Sequence, residues 1–278
     1  MTTPILLTGG TGTLGRLVAP LLQAASRDVR VLSRHRREPQ DGVEFVTGDL
    51  ATGQGIDAAV HGVETIVHYA GTAKGDDDKA HNLVRAASAA GAEHLVYISV
   101  VGADRVPVAS GLDRAMFGYY ASKRAAELVV ADSGLVWTTL RATQFHDLVL
   151  TMVRGAARVP VIPVPAGFRF QPVDAGEVAA RLVELALGEP AGLVPDIAGP
   201  RVYGMDELVR SYLRATRRHR LLVQVTIPGR AARAIRDGAN LAPDRAVGQR
   251  TWEDFLADQV GGAPGPHDVR AGGAPMES

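Results

Sequence analysis

The stretch Pro4–Leu22, PILLTGGTGTLGRLVAPLL, restricts the fold more than any other part of the chain. Ile5, Leu6 and Leu7 form a short apolar run without polar alternation, as a strand covered on both faces requires. Gly9, Gly10, Gly12 and Gly15 follow, with Thr11 and Thr13 between them, and then Leu14, Leu17, Val18, Leu21 and Leu22 recur at helical spacing. Strand, glycine-rich turn and helix in that order let the backbone come close to a phosphate. The helix N-terminus then offers the anion unpaired N–H groups and a partial positive charge. The predicted phosphate-binding turn is Gly9, Thr11, Gly12, Thr13, Leu14 and Gly15. Its glycines repeat as Gly9-x-x-Gly12-x-x-Gly15, although Gly10 and Gly12 leave the string ambiguous with G-x-G-x-x-G. Pro20 removes one backbone bond inside the helix and predicts a bend there.

Strand and helix signals alternate regularly as far as residue 141. Strands are predicted at Val29–Leu32 (ending at Ser33), Val43–Thr47, Thr65–Tyr69, His94–Ser99 and Leu135–Leu140, and helices at Ile56–His61, Asp76–Ala90 and Gly118–Asp132. The predicted fold class is therefore α/β, a Rossmann-type doubly wound parallel sheet. Residues 1–141 form the dinucleotide-binding core, with parts of 142–200 returning to the sheet. Prolines crowd Val159–Pro172, which reads as loops and short extended pieces. Helices follow at Asp174–Leu187 (Asp174 as N-cap with Glu177 three residues on), Met205–Thr216, Gly229–Gly238 and Thr251–Val260, with an extended segment at Leu221–Ile227. These make residues 142–260 a small, mostly helical substrate-side lobe. Residues 261–278, rich in glycine and proline without an apolar period, read as a disordered tail.

Composition narrows the functions. The 278 residues are 46% hydrophobic, enough for a sizeable core, and 30 basic residues balance 30 acidic ones. No global charge bias points to nucleic acid or to an anionic membrane. The absence of cysteine removes thiolate nucleophiles and cysteine metal sites, and the eight histidines show no metal-ligand spacing. Without a leader-like start or a membrane-length apolar run, the expectation is a soluble cytoplasmic protein, monomer or homodimer, acting on a small molecule.

The strand ends carry the candidate chemistry. A carboxylate about 20 residues past the glycines would hold an adenosine ribose 2′-hydroxyl. This chain has Ser33 there, followed by Arg34 and Arg37, whose guanidinium groups suit a 2′-phosphate; NADP is favoured over NAD. A solvated basic loop is the other reading. Asp49, with Leu50, stands where an adenine amino group could be bound, or caps the loop that follows. Ala70 and Gly71 let the middle of the cofactor lie against backbone. Tyr119 and Lys123, four residues apart, share a helix face. An ammonium beside a phenol favours phenolate and lowers the phenol pKa, as a general acid for a carbonyl oxygen requires. Tyr120 points away and reads as packing or substrate wall. His146 and Asp147 read as a partly exposed loop pair, with cleft lining as the alternative. Arg214, Arg217, Arg218 and Arg220 read as a solvated helix end.

Taken together, TGGTGTLG at 8–15, Ser33-Arg34, Gly48-Asp49-Leu50, Tyr97-Ile98-Ser99, Tyr119 and Lys123 with Glu127, and Leu140-Arg141-Ala142-Thr143-Gln144-Phe145 resemble the short-chain dehydrogenase/reductase superfamily. The similarity is to its atypical extended branch with NmrA-like NAD(P)-binding proteins. Val173-Asp174, Ala198-Gly199-Pro200 and the run from Thr251 to Leu256 extend it to about residue 258. The resemblance implies that a Ser or Thr after the fifth strand hydrogen-bonds the substrate carbonyl, that Tyr119 gives or takes the proton, and that Lys123 binds the nicotinamide ribose. Ser99 is the hydroxyl in that stretch. Extended members often carry theirs about two residues on, where this chain has Val101, so a strand-end serine satisfied by backbone is the competing reading of Ser99.

The function expected from these features is hydride transfer from NADPH to a small or medium carbonyl compound, with Tyr119 as proton donor. The alternatives are an NmrA-like NADP sensor with little catalysis and an NAD(P)-assisted epimerase or dehydratase. Substrate choice would rest with the loops at 72–80, 102–118 and 142–172.

Overall fold

The N-terminal apolar run forms strand β1 (Ile5–Thr8), all of it buried. The structure is a computed structural model and describes residues 3–69, 71 and 75–261. Ala70 and residues 262–278 of the predicted tail lie outside the described residues. Helix α1 (Thr13–Ala24) follows β1 and continues through Pro20, which lies on its exposed face. Then come β2 (Val29–Ser33), β3 (Val43–Thr47), α2 (Ile56–Val60), β4 (Thr65–His68), α3 (Asp76–Ala90), β5 (His94–Val100), α4 (Gly111–Ala131) and β6 (Trp137–Ala142). The remainder comprises α5 (His146–Ala156), β7 (Val161–Pro165), β8 (Arg169–Phe170), α6 (Ala175–Leu187), β9 (Gly192–Leu193), β10 (Tyr203–Gly204), α7 (Met205–Ala215), β11 (Leu221–Val225), α8 (Arg230–Arg236) and α9 (Trp252–Gly261).

Among the described residues a seven-stranded sheet runs in the order β3-β2-β1-β4-β5-β6-β9, with every pairing parallel. Successive strand residues point to opposite faces. Ile5, Leu7 and Val31 therefore pack with Val18 and Leu22 of α1 and Leu182 of α6, while Leu6, Ile66 and Leu95 pack with Ile56 of α2, Leu83 of α3 and Val130 of α4. This is a Rossmann-type α/β sheet covered on both faces. Chain direction away from β1 reverses between β1 and β4, and the crevice at the carboxyl ends of the strands is where such sheets take ligands. A third core, built by Val153 of α5, Val164 of β7, Phe170 of β8, Leu208 of α7, Ile235 of α8 and Trp252 of α9, forms the C-terminal lobe.

Three elements depart from the sequence expectation. Helix α4 begins at Gly111, seven residues before the predicted start at Gly118. Its cause is a capping box in which Ser110 Oγ accepts from Asp113 N (3.0 Å) and the Asp113 carboxylate accepts from Ser110 N (3.1 Å). Helix α5 occupies a span read as loop, because Val149, Leu150 and Val153 supply a buried stripe against the lobe core. Asp174 does cap α6, accepting from Gly176 N at 2.7 Å, but Glu177 does not reach back to it; Glu177 accepts from the N–H groups of Gln249 and Arg250 and so ties the C-terminal segment to α6. Among the described residues no helix is long and apolar enough to cross a membrane.

Candidate functional site

Each glycine of the turn after β1 is required for a different reason. Gly9 has φ +83°, a backbone conformation that other residues adopt at a cost. A Cβ on Gly10 would stand 2.6 Å from Val31 Cγ1, and one on Gly15 would stand 2.3 Å from three backbone atoms of Gly10. Gly10 lets the turn pack onto β2, and Gly15 lets α1 pack onto the turn. Gly12 is different: its φ of −83° and ψ of −174° suit any residue, and a Cβ would meet only Gly9 O, at 3.3 Å. It is the N-cap of α1 and lines a cleft of ≈ 370 Å³. Its small size therefore serves the cleft rather than the fold, as a turn shaped for a pyrophosphate requires. Gly12→Val is expected to abolish dinucleotide binding in isothermal titration while circular dichroism and melting temperature stay close to wild type. Gly15→Ala should instead lower the melting temperature by several degrees, since the added methyl must displace backbone. Tight binding by Gly12→Val would move the phosphates elsewhere.

The cleft runs along the carboxyl ends of the strands. It is lined by Gly9, Thr11 and Gly12 after β1, Ser33 and Arg34 at the end of β2, Asp49 and Leu50 after β3, and Gly71 after β4. The Ser33 hydroxyl donates to His35 O (2.9 Å), which shapes the turn that carries Arg34. Asp49 Oδ1 accepts from Ala51 N at 2.9 Å, so the residue shapes its own loop while facing the cleft. The structure does not bring the rest of the predicted set to the cleft lining. Thr13 opens α1, Leu14 is in the core, Gly15 is buried against Gly10, and Arg37 lies over the Phe45 ring at 5.9 Å. Arg34 is the guanidinium on the rim of this cleft.

Beyond Gly71 stands a buried polar cluster. Lys123 is 3% exposed, with Nζ 3.4 Å from Asp76 Oδ2, 3.4 Å from Ile98 O, 5.1 Å from the Tyr97 ring centre and 5.8 Å from that of Tyr119. A Cβ on Gly71 would stand 2.7 Å from Lys123 Nζ and 2.9 Å from Asp76 Oδ2, so the ion pair lies directly against the end of the cleft. Burial pulls the Lys123 pKa down and Asp76 opposes it. His68 stacks on Tyr97 at 5.3 Å and shares a 2.6 Å hydrogen bond with Thr8 Oγ1; burial and then the Lys123 charge push its pKa down to about 3, leaving it neutral. Tyr119 is 39% exposed at the mouth of this cluster. Its pKa is raised, by desolvation first and by the Asp76 carboxylate second, which reverses the lowering expected from Lys123. The main reason is burial of the phenol, to which the Asp76 carboxylate adds. The phenol is protonated at neutral pH, as a donor must be, and the raised pKa makes it a weaker acid than the sequence expectation required.

The scaffold behind the pair is a charge network. Arg141 of β6 holds Glu127 of α4 in a two-pronged contact (Nε to Oε1 2.8 Å, Nη2 to Oε2 2.7 Å) and reaches Asp104 with Nη1 at 2.8 Å. Glu127 lies one turn beyond Lys123, so this contact fixes the helix that carries Tyr119 and Lys123. Ser99, on the strand facing α4, is 4% exposed, and its Oγ has no hydrogen-bond partner among the described residues, contrary to the reading of a serine satisfied by backbone. Tyr120 packs into the lobe core and hydrogen-bonds Gln144, and burial pushes its pKa up to about 12.

Sequence reasoning missed Asp76 and Lys79, which the fold brings to the cleft end; the acidic run DDDK opening the helix after the fourth strand was the available signal. It also misplaced His146, which is fully buried at the start of α5, stacked on Phe255 at 5.0 Å and Trp252 at 6.1 Å, while Asp147 is exposed.

This geometry has relatives. A model of an NAD(P)H-binding family matches residues 9–187. A (4-alkanoyl-5-oxo-2,5-dihydrofuran-3-yl)methyl phosphate reductase of Streptomyces griseus is 31% identical over 188 residues, 66% of this chain. A ceramide reductase of Caulobacter vibrioides is 34% identical over 211 residues, 68% of this chain. The match spans 63% of the length of each of these two curated relatives. An NADPH-dependent quinone oxidoreductase of Escherichia coli, solved with NADPH, shares the fold with a TM-score of 0.77 at 18% identity, over 92% of this chain and 99% of that one. With more than half of its length matched and the glycine turn, basic rim and strand-end cleft in place, the chain belongs to this NAD(P)H-binding family.

Proposed function

We propose that the chain is an NADPH-dependent reductase of small or medium apolar carbonyl compounds. The observation that carries the reading is the Lys123–Tyr119 pair standing where the cleft ends at Gly71. The residues fit a dinucleotide: Gly12 leaves the space at the α1 N-terminus free of a side chain, Arg34 on the cleft lining would meet a 2′-phosphate, and a Cβ at Gly71 would crowd Lys123 Nζ. Bound NADPH would supply the hydride. Tyr119, protonated at neutral pH, donates its proton to the carbonyl oxygen as the carbon receives that hydride, and is reprotonated from solvent through its exposed edge. Lys123 holds the ribose and a positive charge beside the developing alkoxide. Ser99 Oγ, buried and without a protein partner among the described residues, donates to the carbonyl oxygen. That several relatives are reductases supports this class of chemistry.

The test is a panel of aldehydes, ketones and quinones, followed by loss of NADPH absorbance. Turnover with at least one carbonyl is expected. Tight NADPH binding without any turnover would overturn the reading in favour of a cofactor-binding sensor. Isothermal titration should also show NADP bound about tenfold more tightly than NAD, because a charge-assisted bond from Arg34 is worth ~1.5 kcal/mol at the lower end of its usual range. Equal affinities would remove Arg34 from the 2′-phosphate.

A further inference from the structure

The sequence contains lysine only at positions 74, 79 and 123; every other basic residue is arginine. Two of these lysines meet on one carboxylate. Asp76, 1% exposed at the first position of α3, has Oδ1 3.3 Å from Lys79 Nζ and Oδ2 3.4 Å from Lys123 Nζ. Asp76 N donates to Ser122 Oγ (3.2 Å), which fixes the start of α3 on the helix carrying Lys123. An arginine stays charged in a protein and needs a wide planar site; a lysine is compact and titrates when buried. The chain keeps the titratable cation at the end of the cleft.

We propose that Asp76 is a positioning residue of the site: its carboxylate, shared with Lys79, holds the buried Lys123 ammonium charged and in place against Gly71. The groups facing Lys123 support this. From α3 come Asp76 and Lys79, from β4 His68, from β5 the Tyr97 ring and Ile98 O, and from α4 Tyr119 and Glu127. His68 is neutral and Glu127 is held by Arg141, which leaves Asp76 as the nearest counter-charge to Lys123. Burial without such a partner drives an ammonium to give up its proton. The same carboxylate adds to burial, the larger effect, in keeping the Tyr119 phenol protonated. Asp76 thereby prepares the site for carbonyl reduction rather than alcohol oxidation, a consequence that rests on the reductase reading above.

Because lysine is so rare here, [13Cε]lysine-labelled protein without cofactor gives a resonance for each position, assigned by single substitutions and titrated by NMR. In Asp76→Asn the Lys123 resonance should titrate ~1–3 pH units lower than in wild type, the range of shift an opposite charge within 4–6 Å produces. The sign separates this role from a structural one. A variant that merely loosened the loop would admit water and raise the Lys123 pKa towards its ordinary value. An unchanged or raised pKa would therefore overturn the proposal. Asp76→Glu should restore most of the shift. Lys79→Gln, which removes a competing positive charge, should raise the Lys123 pKa, and it decides the matter if Asp76→Asn does not fold; no rise there would also overturn the proposal. The alkaline limb of turnover against pH should move down in Asp76→Asn. If the titrations behave as expected and no carbonyl is turned over by wild type, the reductase reading fails while the role of Asp76 stands.

Discussion

Replacing Tyr119 by Phe is expected to lower NADPH-dependent carbonyl turnover by ~10²–10⁴-fold, the usual contribution of a positioned general acid, while cofactor affinity stays nearly constant. The substitution keeps the ring that packs edge-on against Tyr120 at 6.1 Å and removes only the hydroxyl that carries the proton. With 39% of the residue exposed, the fold has little to lose from it. Lys123→Ala should behave differently. It removes a buried ammonium that Asp76 was oriented to meet, so cofactor binding, turnover and stability should all fall. Single-turnover kinetics and isothermal titration on both variants check the pair. Turnover that survives Tyr119→Phe unchanged would assign the proton to another donor.

Breaking the contact between α4 and β6 should have the largest effect on stability. Glu127 and Arg141 are 5% and 6% exposed, and removing one member of a buried pair leaves the other charged and unsolvated. Such losses cost ~3–5 kcal/mol. Arg141 would retain Asp104, half open to solvent, so Glu127→Ala belongs at the lower end, about 3 kcal/mol by urea unfolding. In a chain of this size that lowers the melting temperature by on the order of 10 °C. A double variant, Glu127→Leu with Arg141→Met, should recover part of the loss, because two apolar groups need no partners. A change below about 1 kcal/mol in Glu127→Ala would mean that the network does not anchor α4.

The parallel sheet, the glycine turn and the order of strand ends were legible because they rest on local signals. Apolar runs such as Ile5–Leu7 have no second interpretation when a glycine turn and an amphipathic helix follow. The registry of Ser33, Asp49 and Gly71 along one sheet edge follows from alternating strands and helices, since every parallel strand delivers its C-terminus to the same side. Tyr119 and Lys123 were legible for the same reason: four residues on a helix are neighbours whatever the helix packs against. Their resemblance to a known superfamily added roles that spacing alone did not carry.

What the chain's own order could not reveal was long-range charge. Asp76 and Lys123 are far apart in sequence, and only the packing of α3 against α4 places their side chains 3.4 Å apart. At Tyr119 the shift is the reverse of the one expected, because burial first and the Asp76 carboxylate second raise the phenol pKa, and no local pattern predicts either. The same holds for His146, polar by composition, which is a fully buried ring packed against both Trp252 and Phe255 in the lobe core. Local sequence determined which elements exist and which edge of the sheet binds, since backbone propensity and apolar period act over a few residues. The protonation states at that edge were decided by the tertiary structure, since electrostatic energy depends on distance and burial that only the assembled chain defines.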